Sequence, residues 1–162
     1  MQLRSAPALA GTAVIAVLAL SASPALAGDG GGDDLIREDL VPSLTTDPPI
    51  NGVSPGGLPW VLDRGEVRVR DDGRMDVRIE GLQIPRAGGE DNPVDSITAV
   101  LYCAGRRVAD SGPQPMSVPE GDARFRVTVA APDDCDMASV LVSPSTLVGT
   151  RFIASGTSHG DD

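Results

Sequence analysis

The sequence predicts an all-β fold: an antiparallel two-sheet β-sandwich, immunoglobulin-like in architecture, with seven to eight short strands, set behind a signal peptide and a disordered leader. Three observations carry this. From Trp60 onward the chain consists of short runs in which apolar and polar residues alternate, separated by turn formers at intervals of roughly 8–12 positions. One of these runs, residues 65–84, contains its own turn and reads as a complete hairpin. And that many strands in about a hundred residues can bury their apolar faces only by packing one sheet on another.

The first segment is an export signal. A lone cation, Arg4, precedes a stretch almost free of charge, "PALAGTAVIAVLAL", followed by "SASPALA". Ala25 and Ala27 form a small-x-small cleavage pattern, Pro24 breaks the helix just before it, and the apolar run is too short for a resident membrane helix. Residues 1–27 are therefore expected to be removed after Ala27. No cysteine stands at the cleavage site to carry a lipid, no LPxTG-like sorting motif follows, and the end "SGTSHGDD" is polar. The expected destination is the extracellular medium, with no membrane attachment after cleavage.

Residues 28–58 open on "GDGGGDD", which has no apolar area to bury, and continue into a Pro/Gly cluster that favours extended or turning backbone. They read as a leader or linker. Within it "LIREDLVPSL" is able to form a helical turn or to dock as an extended arm. Residues 59–156 form the β-domain and 157–162 a polar C-terminal tail. Trp60, at the first strand, is read as a core plug.

The hairpin "GEVRVRDDGRMDVRIEGLQI" allows its register to be chosen. With Asp71, Asp72 and Gly73 as a three-residue loop and Gly73 left-handed, Val69 faces Met75, Val67 faces Val77, Arg68 faces Asp76 and Glu66 faces Arg78. A two-residue loop sets Arg68 against Val77 and mixes the faces, so the first register is preferred. Further strands are expected in "SITAVLYC" (96–103), "RRVADS" (106–111), "DARFRVTVA" (122–130), "ASVLVS" (138–143) and "TRFIAS" (150–155), with a tight turn at Ala104 and Gly105. Phe125, Val127 and Val129 alternate with Arg124, Arg126 and Thr128, the pattern of a sheet with one wet face. The loop 85–95 is long enough to cross between sheets.

Composition removes several kinds of chemistry. Without Arg4, the remaining 12 arginines stand against 23 acids, a formal charge of −11 that repels phosphate backbones and anionic lipids, so neither nucleic acid nor membrane is expected as a partner. There is no lysine, which rules out Schiff-base chemistry. The only histidine, His159, lies in the polar tail and supplies no usable imidazole to a Ser-His-Asp triad or a histidine-rich metal site. The acids at Asp71/Asp72 and at Asp133, Asp134 and Asp136 lie in expected turns, where carboxylates are ordinarily solvated turn formers. Calcium at "DDCD" or "EDNPVD" is the milder reading, since clustered loop oxygens suit a hard cation, but neither cluster matches an EF-hand or RTX loop. The expectation is no catalytic residue, no cofactor and no metal.

Two cysteines in an exported chain are most economically one disulfide, and Cys103 ends a strand while Cys135 sits in the turn that opens another. Closing about 33 residues restricts the unfolded chain by the equivalent of roughly 3–4 kcal/mol. The acids around Cys135 oppose a thiolate, so a redox or nucleophilic role is not expected.

The signal peptide, "GLPWVLDRGEVRVRDDGRMDVRIEGL", the two cysteines and the closing "RFIASG" together resemble small secreted actinobacterial proteins with a single-disulfide β-sandwich domain and no assigned function. The resemblance implies an exported β-domain and no activity. Immunoglobulin domains themselves fit less well, because Trp60 precedes both cysteines instead of lying between them. The expected role is a secreted, non-catalytic β-domain, monomeric by default, that binds an extracellular protein or cell-envelope component. A protease-inhibitor-like protein is the alternative, with loops "GPQPMSVPEGD" and "SPSTLVG" unbraced by any second disulfide, and a hydrolase is a more distant third.

Arginine supplies the candidate partner face. Arg68, Arg70 and Arg78 share one side of the hairpin with Glu66, Asp76 and Glu80, Arg124 and Arg126 line another strand, and Arg68, Arg78 and Arg126 are singled out as the residues a carboxylate-bearing partner would meet. The competing reading makes them cross-strand ion pairs that keep the sheet soluble. The export assignment has a direct check: N-terminal sequencing of protein from the culture medium is expected to begin at Gly28, and recovery only from membranes with Met1 intact would refute it.

Overall fold

A computed structural model describes residues 33–86 and 89–158; the signal-peptide assignment, the opening of the leader and His159 lie outside them. The strands follow in the order β1 (Asp34–Asp39), β2 (Val41–Pro42), β3 (Ser54–Pro55), β4 (Arg64–Arg70), β5 (Arg74–Glu80), β6 (Ile84–Arg86) and β7 (Gly89–Asp91), then β8 (Ser96–Cys103), β9 (Arg106–Asp110), β10 (Gln114–Pro115), β11 (Ala123–Thr128), β12 (Ser139–Pro144), β13 (Arg151–Phe152) and β14 (Ala154–Thr157). The larger strands build two antiparallel sheets, β1-β4-β5-β11 and β10-β8-β12-β14-β2, with β9 also on β8, while β13 with β3 and β6 with β7 form small two-stranded sheets. The expected two-sheet sandwich is what the chain forms.

The hairpin has the register that side-chain pairing selects: Glu66 opposite Arg78, Val67 opposite Val77, Arg68 opposite Asp76 and Val69 opposite Met75. Its turn works because Gly73 holds φ at +81°, a conformation that costs glycine little and any other residue considerably more. A side chain there would also strike a neighbour, since a Cβ on Gly73 would lie 2.1 Å from the Val129 carbonyl oxygen. Ala104 and Gly105 likewise both have positive φ, the geometry of a two-residue hairpin turn. The loop after β5 crosses to the other sheet as expected and folds a small β6–β7 hairpin on the way.

Alternation explains the core. From the first sheet Ile36, Val67, Val69, Met75, Val77 and Ile79 point inward, and from the second Ile97, Ala99, Leu101, Val140, Val142 and Ala154 meet them, with Trp60 buried among them as the expected plug. Trp60 stands in no strand, however; its backbone N–H donates to the Ser43 carbonyl. The middle strands β8 and β12 are buried on both faces. Their outward residues Val100, Tyr102 and Leu141 join Val53 and Phe152 in a second, smaller core.

That second core corrects the leader. Residues 34–58 are not a disordered linker: β1 pairs with β4, the Leu40 N–H donates to the Gly65 carbonyl, and β2 pairs with β14, so one arm is hydrogen-bonded to both sheets. Ile36 and Leu40 enter the main core and Val53 the second one. The physical reason is burial without periodicity. These apolar residues serve different layers, so they show no spacing that a local reading detects. Of the two options for "LIREDLVPSL", the extended arm is the one adopted. Two smaller corrections concern the end of the chain. The run 150–155 is broken at Ile153, with β13 pairing parallel to β3 while β14 pairs with β12, and the domain extends through Thr157 and Ser158, whose N–H donates to the Ala138 carbonyl.

Leu40, 5% exposed, measures how much the arm contributes. Leu40→Ala is expected to lower unfolding free energy by about 2–5 kcal/mol, the ordinary cost of such a core truncation. Urea denaturation checks it; a midpoint unchanged from wild type would return the arm to the status of a linker.

Candidate functional site

The outward face of the β1-β4-β5-β11 sheet carries the most distinctive chemistry of the molecule. Two-residue periodicity turns every second side chain of these strands to solvent. Register then sets them in rows. One row reads Asp39, Glu66, Arg78, Arg124; the next reads Arg37, Arg68, Asp76, Arg126. Arg70 lies opposite Asp34 beyond the second row, and Arg64 lies opposite Glu80 at the other end. With Arg74, eight of the protein's arginines project from one face of one sheet against five acids. The protein is acidic as a whole; this face is not.

Four carboxylates organise the guanidinium groups, the loosest contact being that of Glu66 with Arg37 Nε at 3.7 Å. Asp34 accepts a hydrogen bond from Arg68 Nε at 2.5 Å and lies 3.9 Å from Arg70 Nε. Asp76 accepts from Arg126 across the β5–β11 pair. Glu80 accepts from Arg78 Nη2 at 2.5 Å along the same strand. The hydrogen bond from Arg78 holds the Glu80 carboxyl below its ordinary range, with desolvation opposing and the positive charges of Arg78, Arg64 and Arg124 adding to the effect. Asp34 acts in the converse sense and raises Arg68. Arg70 Nε is buried without a hydrogen-bond partner.

The three arginines singled out from the sequence, Arg68, Arg78 and Arg126, do share this face, because β11 lies beside β5. Each is engaged in an ion pair, though in only one case with an acid that the register places opposite. Arg68 turns to Asp34 on β1 instead of Asp76, and Arg78 turns to Glu80 instead of Glu66. Arg37 was hidden in the presumed leader. Arg124 was visible, but nothing local showed that it would stand beside Arg78.

Two features are not those of an ion-pair lattice built for solubility alone. Arg37 lies directly opposite Arg68, and Arg124 directly opposite Arg78; like charges so placed on neighbouring strands destabilise a sheet. Arg124 also makes no ion pair among the described residues. Between these side chains runs an open groove of about 550 Å³, lined by six arginines and, as its acids, Glu66 and Asp76. Planar guanidinium groups with unused N–H donors, clustered in this way, are suited to receive carboxylate or phosphate oxygens.

The other candidate residues lie elsewhere. Cys103 and Cys135 are bonded to each other, with Cα atoms 5.0 Å apart. The bridge ties the end of β8 to the loop that enters β12, a strand of the same sheet, and the Ala104 N–H to Asp136 carbonyl bond reinforces it. It is not the sheet-to-sheet bridge of immunoglobulin domains. Among the described residues no group of three or more His, Cys, Asp or Glu side chains converges on a metal-sized space. The loop 112–122 is braced without a second disulfide. Fully buried Asn92 donates from Nδ2 to the Ser117 carbonyl at 2.8 Å, and its backbone N–H donates to Pro119. Met116 turns into the core and leaves Val118 as the loop's exposed apolar residue.

Comparison with protein-family models, with curated proteins and with solved structures finds no match.

The bridge supports a stability prediction. Replacing both Cys103 and Cys135 by Ala is expected to cost about 2–5 kcal/mol, read as a lowered denaturation midpoint, with the arginine face left intact. A double variant as stable as wild type would show that the backbone pairing around Ala104 already holds the loop.

Proposed function

We propose that the protein is a secreted, non-catalytic β-domain that binds an acidic extracellular protein or envelope component through the arginine face. The observation that carries this reading is the like-charge pairing of Arg37 with Arg68 and of Arg78 with Arg124 on an exposed sheet of an acidic protein. Such an arrangement costs stability in the free state and is relieved by an anion seated between the guanidinium groups. Export supports it from the other direction, since the domain then meets its partner outside the cell, where the disulfide is stable.

The test uses a defined carboxylate polymer. Poly-L-glutamate is titrated into the purified mature protein at low and at physiological salt, alongside the double variant Arg37→Ser/Arg124→Ser and the control Arg106→Ser, which lies on β9 in the other sheet. Both arginines are exposed, so the double variant is expected to keep its stability within about 1 kcal/mol. It is expected to lose affinity at least tenfold, while Arg106→Ser binds as wild type and all binding weakens as salt rises. Absence of binding even at low salt, or equal binding by the double variant, would reject the proposal and leave the face as a solubilising surface.

A further inference from the structure

A second concavity, sharing no lining residue with the arginine face, opens at one end of the sandwich. Its volume is about 440 Å³, within the roughly 300–1,000 Å³ of small-molecule sites. The loop at residues 56–60 forms one wall, the short 3-10 turn Ser145–Leu147 the other, and Ile84, Val94 and Ile153 the floor. Trp60 lies along it, brought close because residue 56 is glycine: a Cβ there would come within 2.9 Å of the indole Nε1. The rim leucines Leu58 and Leu147 remain 49% and 44% exposed.

One charged residue lines this space. Arg151 donates from Nη1 to the Pro55 carbonyl at 2.9 Å, which anchors the guanidinium at the mouth, and it takes part in none of the ion pairs among the described residues. No acid lines the pocket to neutralise it. An apolar cleft with a single fixed cation at its opening complements a molecule of matching polarity, an apolar body with one anionic end. Cations and uncharged polar molecules leave either the guanidinium or the cleft unsatisfied.

We infer that this pocket binds an aliphatic monocarboxylate, with the chain laid between Trp60, Leu58 and Leu147 and the carboxylate on Arg151. The site is independent of the arginine face and does not rest on the function proposed for it.

Trp60 is the only tryptophan, so its fluorescence reports the site directly. Decanoate, decanol and decyltrimethylammonium, which share a chain and differ in charge, are titrated into the full mature protein below their micelle concentrations. Decanoate is expected to give a saturable change in Trp60 emission at concentrations about ten- to a hundredfold lower than the other two, the effect of one charge-assisted hydrogen-bonded contact. Arg151→Gln is expected to weaken decanoate to the level of decanol while leaving decanol unchanged. Should loss of the Pro55 contact unfold that variant, Leu147→Asp, placed on the exposed turn, is expected to abolish the decanoate response and to spare decyltrimethylammonium. The inference is overturned by no saturable response to decanoate, by equal responses to the three probes, or by undiminished decanoate binding in the folded variant.

Discussion

The register of the β4–β5 hairpin is the constraint on which the rest of the molecule depends. Shifting it by one residue would turn one strand over relative to the other, setting Arg68 opposite Val77 and Val67 opposite Arg78, so that an arginine entered the core with a valine and a valine faced water with an arginine. Burying unpaired guanidinium groups costs several kcal/mol each, so the valines and arginines enforce the same pairing from opposite sides. The register also propagates. Gly73 accepts the Val129 N–H at the end of β11, and β11 aligns so that Arg126 meets Asp76 and Arg124 meets Arg78. On the other flank β4 receives β1 and places Arg37 against Arg68.

A basic face on an acidic protein is sustained by the carboxylates interleaved on it, since Asp34, Glu66, Asp76 and Glu80 each stand within ion-pair distance of a guanidinium group. Four strands span about 14 Å at the usual spacing of roughly 4.8 Å, so neighbouring guanidinium groups lie within the screening distance of about 8 Å at physiological salt. The exposed ion pairs through Asp34, Asp76 and Glu80 add little to stability individually. Their effect is positional: they hold Arg68, Arg126 and Arg78 in place, whereas Arg124 is left without an acid of its own.

The N-terminal arm connects the arginine face and the Trp60 pocket. Arg37, one of the like-charge pair, comes from its first strand, and the loop at residues 56–60 that walls the Trp60 pocket is its last part. Between them Val53 closes the second core over Val100 and Leu141. An arm that crosses from one sheet to the other thus does more than seal the edge of the sandwich. It also contributes Arg37 to one surface and the loop at residues 56–60 to the other.

Sequence alone determined what is local. The all-β class, the hairpin register down to individual pairs, the bounds of β8 and the turn at Ala104 and Gly105 all follow from two-residue periodicity and turn chemistry, which act between near neighbours. The disulfide was legible for a different reason, since a chain with two cysteines offers a single pairing. Tertiary structure decided what depends on contacts between distant segments. Residues 34–58 have no period because Ile36 and Leu40 answer to the main core and Val53 to the second one, so their burial is visible only once both sheets exist. The composition of the arginine face followed the same rule. That Arg68, Arg78 and Arg126 point outward is a matter of parity along each strand, but their convergence, the arrival of Arg37, and the choice of Asp34 over Asp76 by Arg68 were set by which strand lies beside which, and strand order is a long-range property that no local pattern encodes.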